Sequence, residues 1–211
     1  MDFFDKIFVI NLEHRKDRWK KCTEQLIDIE RFNAIKLPLN QIDKKYHNNL
    51  NSPHRNKPKY IIGAVGCKLS HLNIIKIAKE RNYKNILILE DDFLLCKNFE
   101  EEFKKVLNEK VEWSMLYLGC SFSQYSKTIN SKILRKANGV KTTHAYCLKN
   151  NIFDTIINDL ENCGCEIDDY YCRLQMKEKV LICNPSLITQ RDDYSDILHR
   201  KVNYKCIKFL K

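Results

Sequence analysis

The chain has 211 residues, 44% of them hydrophobic and 30% charged, which excludes a disordered polymer and a miniprotein that needs disulfide staples. Thirty-seven basic against 27 acidic residues give a formal charge of +10, which suits anionic partners, although the lysines are scattered rather than gathered in one patch. No run approaches the roughly 20 apolar residues of a membrane span, and MDFFDKIFVI lacks the basic start and cleavage site of a signal peptide, so a cytoplasmic chain is expected.

Residues 6–12, KIFVINL, form a short apolar run ended by charge, which predicts a buried first strand. Residues 16–29 space Trp19, Cys22, Leu26 and Ile29 along one helical face. A second strand is expected at 32–39, closed by Pro38 and Asn40, and residues 40–60 read as a long functional or mobile loop. A helix opens at Gly63, with Val65, Leu69, Leu72 and Ile75 as its inner stripe. The strand at 85–89 follows, then a helix with Asn98 as its N-cap and Phe99, Phe103, Val106 and Leu107 turned inward. Strands are expected at 114–118, 142–148 and 179–183 and a helix at about 151–161; the charged tail 190–211 gives no clear pattern. Strands alternating with helices predict a single α/β domain over 1–211, a sandwich of helices around a mostly parallel sheet.

The ten cysteines would allow five disulfides, but several lie in apolar runs such as AYCL and VLIC, which suits free thiols in a reducing compartment. Cys163, Cys165, Cys172 and Cys183 do not match the paired knuckles of a zinc module.

The strand at 85–89 runs into Glu90, Asp91 and Asp92. Three adjacent carboxylates raise one another's pKa unless a cation or hydrogen bonds intervene. In open α/β sheets ligands bind beyond the carboxyl ends of strands, and a hard divalent ion suits carboxylate oxygens. In extended backbone Glu90 and Asp92 would share one ion while Asp91 turns toward a sugar hydroxyl or a backbone donor.

Ordered blocks along the chain then carry a family resemblance. FVINLEHRKDRW (8–19), GAVGCKLSHLNIIKIA (63–78), ILILEDDF (86–93), YLGC (117–120), THAYCL (143–148), IDD (167–169) and QRDDYSDI (190–197) together resemble glycosyltransferase family 25, the lipooligosaccharide and collagen galactosyltransferases. Two positions depart from the family pattern: Ala64, often Glu, and His14, often Arg. The resemblance implies the nucleotide-sugar transferase fold called GT-A, a single Rossmann-like α/β sandwich, with a UDP-sugar donor, Mn²⁺ (with Mg²⁺ as the substitute) and transfer with inversion. On that footing Glu90 and Asp92 hold the metal. Asn11, Arg15, Arg18, Ser70, His71, Asp91, His144 and Gln190 contribute to the nucleotide-sugar pocket, and Asp168, with Asp169 next, serves as base. Arg18 has the alternative of pairing with Asp17 or Glu24 on a helix surface, and His144 that of fixing a strand end. Asp192, Ser195 and His199 fall in the closing segment, where a third metal ligand is sought.

The expected partners are a UDP-sugar and a glycan or protein acceptor, the sugar being galactose or glucose. Two other classes compete. A nucleic-acid-binding module is suggested by the net charge and by HRNKPKY (54–60), without a recognised nucleic-acid fold signature, so no nucleic acid is expected. A non-catalytic UDP-sugar binder is suggested by Ala64 and His14.

Overall fold

The computed structural model describes residues 2–121 and 125–203. Cys206, the end of the charged tail and residues 122–124 lie outside the described residues. The first strand, β1 (Lys6–Asn11), is flanked by β2 (Ile29–Asn33) and β3 (Asn85–Glu90), both parallel to it. β5 (Met115–Ser121), β8 (Lys141–Lys149) and β9 (Val180–Cys183) continue the sheet, and β6 (Lys127–Thr128) and β7 (Leu134–Lys136) form its far edge. The order is β2-β1-β3-β8-β5-β9-β7-β6. β8 pairs antiparallel with both neighbours and β7 with both of its own, so the other six of these strands point one way.

Alternation along each strand builds two cores, because successive side chains leave opposite faces of a sheet. Phe8, Ile10, Ile86, Ile88, Met115, Tyr117, Tyr146 and Leu148 face one side, against α2 (Pro58–Glu80), α4 (Phe153–Asn162) and α5 (Ile167–Lys177). Ile7, Val9, Leu87, Leu89, Leu116, Leu118, Ala145 and Cys147 face the other, against α1 (Lys16–Thr23) and α3 (Phe99–Asn108). The result is a three-layer α/β sandwich.

Several boundaries move from the sequence expectation. α1 stops at Thr23, and the chain turns through Asp28, at φ 57°, into β2 three residues earlier than expected. Residues 34–36 leave the sheet and line a cleft instead. α2 begins at Pro58 rather than Gly63, with proline in the first turn, where its missing N–H costs nothing. Asn98 precedes α3 in a left-handed conformation and makes no side-chain cap. Residues 40–57 include a 3₁₀ turn at Lys44–Tyr46 and pack Ile42 and Leu50 onto Ile61, Ala64 and Val65 of α2. Lys68, fully buried, clamps this segment to the α4–α5 connection by donating to the carbonyls of Tyr46, Cys163 and Cys165.

By length and composition alone α2 is long and apolar enough to cross a bilayer, a test that a buried core helix also passes. Its apolarity has a local use, since 61% of the most apolar window is buried within the fold. Short strands β4 (Phe93–Leu95) and β10 (Ile188–Gln190) pair with each other, as do β11 (Asp193–Ser195) and β12 (Arg200–Val202). None of these four was legible in the sequence.

Candidate active site

The carboxyl ends of β1 and β3 open into a cleft of about 380 Å³. Its walls include Ile10 and Leu12, residues 34–36, the Gly63–His71 face of α2, the acidic trio, and Ser195–Ile197 with His199. α2 lies close to residues 34–36 because Gly66 has no side chain; a Cβ there would stand 2.2 Å from the Ile35 carbonyl oxygen.

Strand alternation sorts the trio. Glu90, in phase with Ile86 and Ile88, turns toward His71 of α2, and Thr143 Oγ1 of β8 donates to its Oε1 at 3.0 Å. Asp91 turns the other way, toward α1. It accepts from Asn11 Nδ2 at 2.6 Å and Arg18 at 2.8 Å, while the Cys22 thiol donates to its backbone carbonyl. These partners are side chains of the protein, not the sugar hydroxyl or backbone donor expected. Residues 91 and 92 form a turn, not the extended backbone assumed from the sequence. Asp92 nevertheless lines the cleft, and both its oxygens accept from Gln190 Nε2 at 3.2 Å. Burial, then the charges of Glu90 and Asp91, pushes Asp92 up to about 7. Glu90 would also be raised by burial, but the imidazole of His71 and the neighbouring donors hold it below the usual range.

The two arginines close the cleft with the tail rather than standing free. Arg15 pairs with Asp17 at 3.1 Å and Asp196 at 2.8 Å, with Asp193 at 3.6 Å. Arg18 is buried, and besides Asp91 it reaches Asp193 at 3.3 Å and the Tyr194 carbonyl at 2.6 Å. Its guanidinium is thus held by Asp91, Asp193 and the Tyr194 carbonyl, in place of the helix-surface pairing with Asp17 or Glu24.

Ser70 is a bracket: its hydroxyl donates to the Gly66 carbonyl and accepts from Ile35 N, holding residue 35 against α2. His144 is fully buried, one ring nitrogen 3.2 Å from Thr142 Oγ1 and the other 3.4 Å from the Ile188 carbonyl. Burial lowers it to about 4, and it fixes β8 to β10 instead of lining the cleft. Its place is explained further by Gly119, where a Cβ would meet Ile188 O at 1.9 Å and His144 Nε2 at 2.4 Å. His71 does line the cleft; its Nδ1 lies 2.7 Å from Tyr146 Oη.

Asp168 and Asp169 stand in the first turn of α5. Lys141 and Asn51 occupy Asp169, each at 2.6 Å, so that carboxylate is a strut. Asp168 Oδ1 is buried with no hydrogen-bond partner, and burial followed by the charge of Glu90 raises its pKa to about 7. Among the described residues, Cys163 and Cys165 are in contact, while Cys172 donates to the Val140 carbonyl and Cys183 sits in β9, so the four do not converge. The nine described cysteines are free.

His14 borders the cleft, whereas Ala64 faces the small core beneath residues 40–57. In the basic run 54–60, Tyr60 donates to Glu166 and Lys59 lines the cleft. Sequence reasoning missed Cys67, Lys36 and Lys59 as cleft residues. Cys67 left a signal in its i, i+4 spacing from His71 on one helical face, and Lys59 in the basic run 54–60.

The family model described as Glycosyltransferase family 25 (LPS biosynthesis protein) matches residues 4–194. Procollagen galactosyltransferase 1-B of Xenopus laevis is 29% identical over 136 residues, covering 55% of this chain and 21% of that protein. Procollagen galactosyltransferase 2 of Homo sapiens is 30% identical over 157 residues, covering 68% and 25%. A human protein named inactive glycosyltransferase 25 family member 3 is 28% identical over 134 residues, covering 55% and 22%. The chain thus spans about a quarter or less of the length of these relatives.

Proposed function

Because this chain belongs to glycosyltransferase family 25, we propose that it moves a hexose from a UDP-sugar to an acceptor hydroxyl, with a divalent metal and with inversion. The acceptor class is a glycan, a lipooligosaccharide or a collagen-like protein, and galactose and glucose are the candidate sugars. The observation that carries the reading is the pair Glu90 and Asp92, both presented to one cleft at the end of a central strand while Arg18 and Asn11 immobilise Asp91.

The residues fit a hard cation. The donors are carboxylate oxygens, Asp92 resists ionisation in its present surroundings, and Gln190 Oε1 is buried beside it without a partner. Glu90 and Asp92 would hold Mn²⁺ or Mg²⁺, which when bound supplies Lewis acidity to the departing diphosphate. The chain supplies the rest. Lys36 and Lys59 bring positive charge to the same cleft. Asp193, Asp196 and the two arginines tie the tail segment over its mouth. Asp168 accepts the acceptor's hydroxyl proton as the acceptor oxygen bonds to the anomeric carbon and the carbon–phosphate-oxygen bond breaks.

Purified protein given UDP-galactose or UDP-glucose, Mn²⁺ and an acceptor panel is expected to release UDP. Asp92→Ala should cut the rate about a hundredfold or more, with its circular dichroism unchanged. Full activity in a folded Asp92→Ala protein overturns the metal assignment. A second reading, nucleotide-sugar binding without turnover, is favoured by one observation: a relative of comparable identity carries the name inactive. Calorimetric UDP binding with no transfer across the panel would select it.

A further inference from the structure

Cys67 and His71 lie one helical turn apart on α2 and both face the cleft. The Cys67 sulfur, an imidazole nitrogen of His71 and a carboxylate oxygen of Glu90 lie within 4.8 Å of one another. From this cluster we infer that the chain carries a thiolate-containing site for a zinc-class divalent ion, Cys67–His71–Glu90, which overlaps the carboxylate pair of Glu90 and Asp92 at Glu90.

Four features point to a ligand. His71 is fully buried, and its Nε2 has no hydrogen-bond partner. That nitrogen stands 3.7 Å from Glu90 Oε1, too far for a hydrogen bond and close to the edge of a tetrahedral coordination shell. The other ring nitrogen, Nδ1, is taken by Tyr146 Oη at 2.7 Å, and Tyr146 Oη is 3.0 Å from Tyr171 Oη. On binding, His71 takes the tautomer in which Nδ1–H donates to Tyr146 and Tyr146 donates onward to Tyr171, so that Nε2 turns a lone pair to the ion in place of a proton to the Glu90 carboxylate. Outer partners of metal-bound histidines act in this way. The Thr143 hydroxyl fixes the Glu90 carboxylate by the same logic.

The donor chemistry selects the ion. One sulfur, one imidazole nitrogen and one carboxylate oxygen suit Zn²⁺ and Co²⁺, whereas Mg²⁺ and Mn²⁺ prefer oxygen. On binding, the Cys67 thiol releases its proton to solvent and the sulfur becomes a ligand. The fourth position opens to the cleft, where water or a cleft ligand completes the tetrahedron. Sharing Glu90 makes the two sites competitive: an ion on Cys67 and His71 withdraws that carboxylate from Asp92.

Co²⁺ is the probe, because a cobalt–thiolate bond gives a near-ultraviolet charge-transfer band and a tetrahedral ion gives intense visible bands. Titrating the wild-type chain with Co²⁺ is expected to give both at one equivalent, displaced by Zn²⁺. Cys67→Ser should abolish the charge-transfer band, and His71→Gln should weaken Co²⁺ binding at least about tenfold. The band should survive in the double variant Cys163→Ser with Cys165→Ser and in Asp92→Asn. Should Cys67→Ser fail to fold, wild-type protein serves alone: Zn²⁺ should protect Cys67 from alkylation, mapped by mass spectrometry, while Mg²⁺ should not. A band absent from wild-type protein, retained in Cys67→Ser or lost in the Cys163 and Cys165 double variant overturns the site, as does unprotected Cys67. The inference does not rest on the transferase reading. If the cobalt band is missing while Asp92→Ala still abolishes transfer, only the thiolate site falls. If the band is present and Asp92→Ala keeps full activity, only the carboxylate metal falls.

Discussion

Asp168 ionises near pH 7 because burial, then the charge of Glu90, disfavours its carboxylate. A base must be deprotonated to accept a proton, so the transfer rate should climb with pH through about 7. A cation on Glu90 would cancel part of the repulsion and shift that limb downward as metal saturates. Asp168→Asn should remove the limb and lower kcat/KM by about 10²- to 10⁴-fold. A pH–rate profile that is unchanged in Asp168→Asn assigns the proton to another group. Reading the sequence distinguished Asp168 from its neighbour only by family position. The distinction became physical when Lys141 and Asn51 were found on Asp169 and nothing on Asp168 Oδ1. The same holds in the acidic trio: all three carboxylates border the cleft and look equivalent until Arg18 of α1 and Asn11 are found on Asp91.

At the scale of elements, two contacts position the site. Gly66 lets α2 press against residues 34–36, and a methyl group there must displace the Ile35 carbonyl. Gly66→Ala should therefore cost about 1–3 kcal/mol and raise the donor KM more than it lowers kcat, since the displaced segment lines the cleft. Unchanged KM in steady-state kinetics would contradict that placement. His144 joins β8 to β10, and burial holds its pKa at about 4, below the ordinary 6.5. The folded state thus keeps it neutral. Its contribution is complete above pH 6.5 and is lost as pH falls through 4, because the unfolded chain takes up the proton first. The loss amounts to roughly 3 kcal/mol. Urea midpoints measured between pH 7 and 4 should fall more steeply for wild-type protein than for His144→Gln. The strands and helices around these contacts were broadly legible, since apolar period marks them. Short strands such as β4 and β10 were not, because three residues carry no period and their pairing with each other is wholly long-range.

For the molecule as a whole, the end of the described chain returns to its beginning. Asp193 and Asp196 meet Arg15, and Tyr194 meets Arg18, more than 170 positions away in sequence. This tie carries Ser195, Ile197 and His199 over the cleft. Arg15 is mostly buried, with a side-chain exposure of 15%, and its loss should weaken the tie by about 1 kcal/mol, screened by salt. In Arg15→Ala, amide exchange across 193–199 should accelerate roughly fivefold, with β1 and β3 unchanged. Equal acceleration in β1 and β3 would instead mark a global loss of stability.

The amino-acid pattern by itself determined the alternation of strands and helices, the burial of β1 and β3, and the family, through blocks such as ILILEDDF in their proper order. Those features are local, written in the spacing of apolar residues and in short contiguous motifs. Tertiary structure alone decided which way each acid faces, that Arg15 and Arg18 are spent on the tail, that His144 is a bolt between strands, and that Cys67 stands beside Glu90. Each of these depends on side chains brought together from distant segments, and a linear period says nothing about the distance between two points on different turns of the chain.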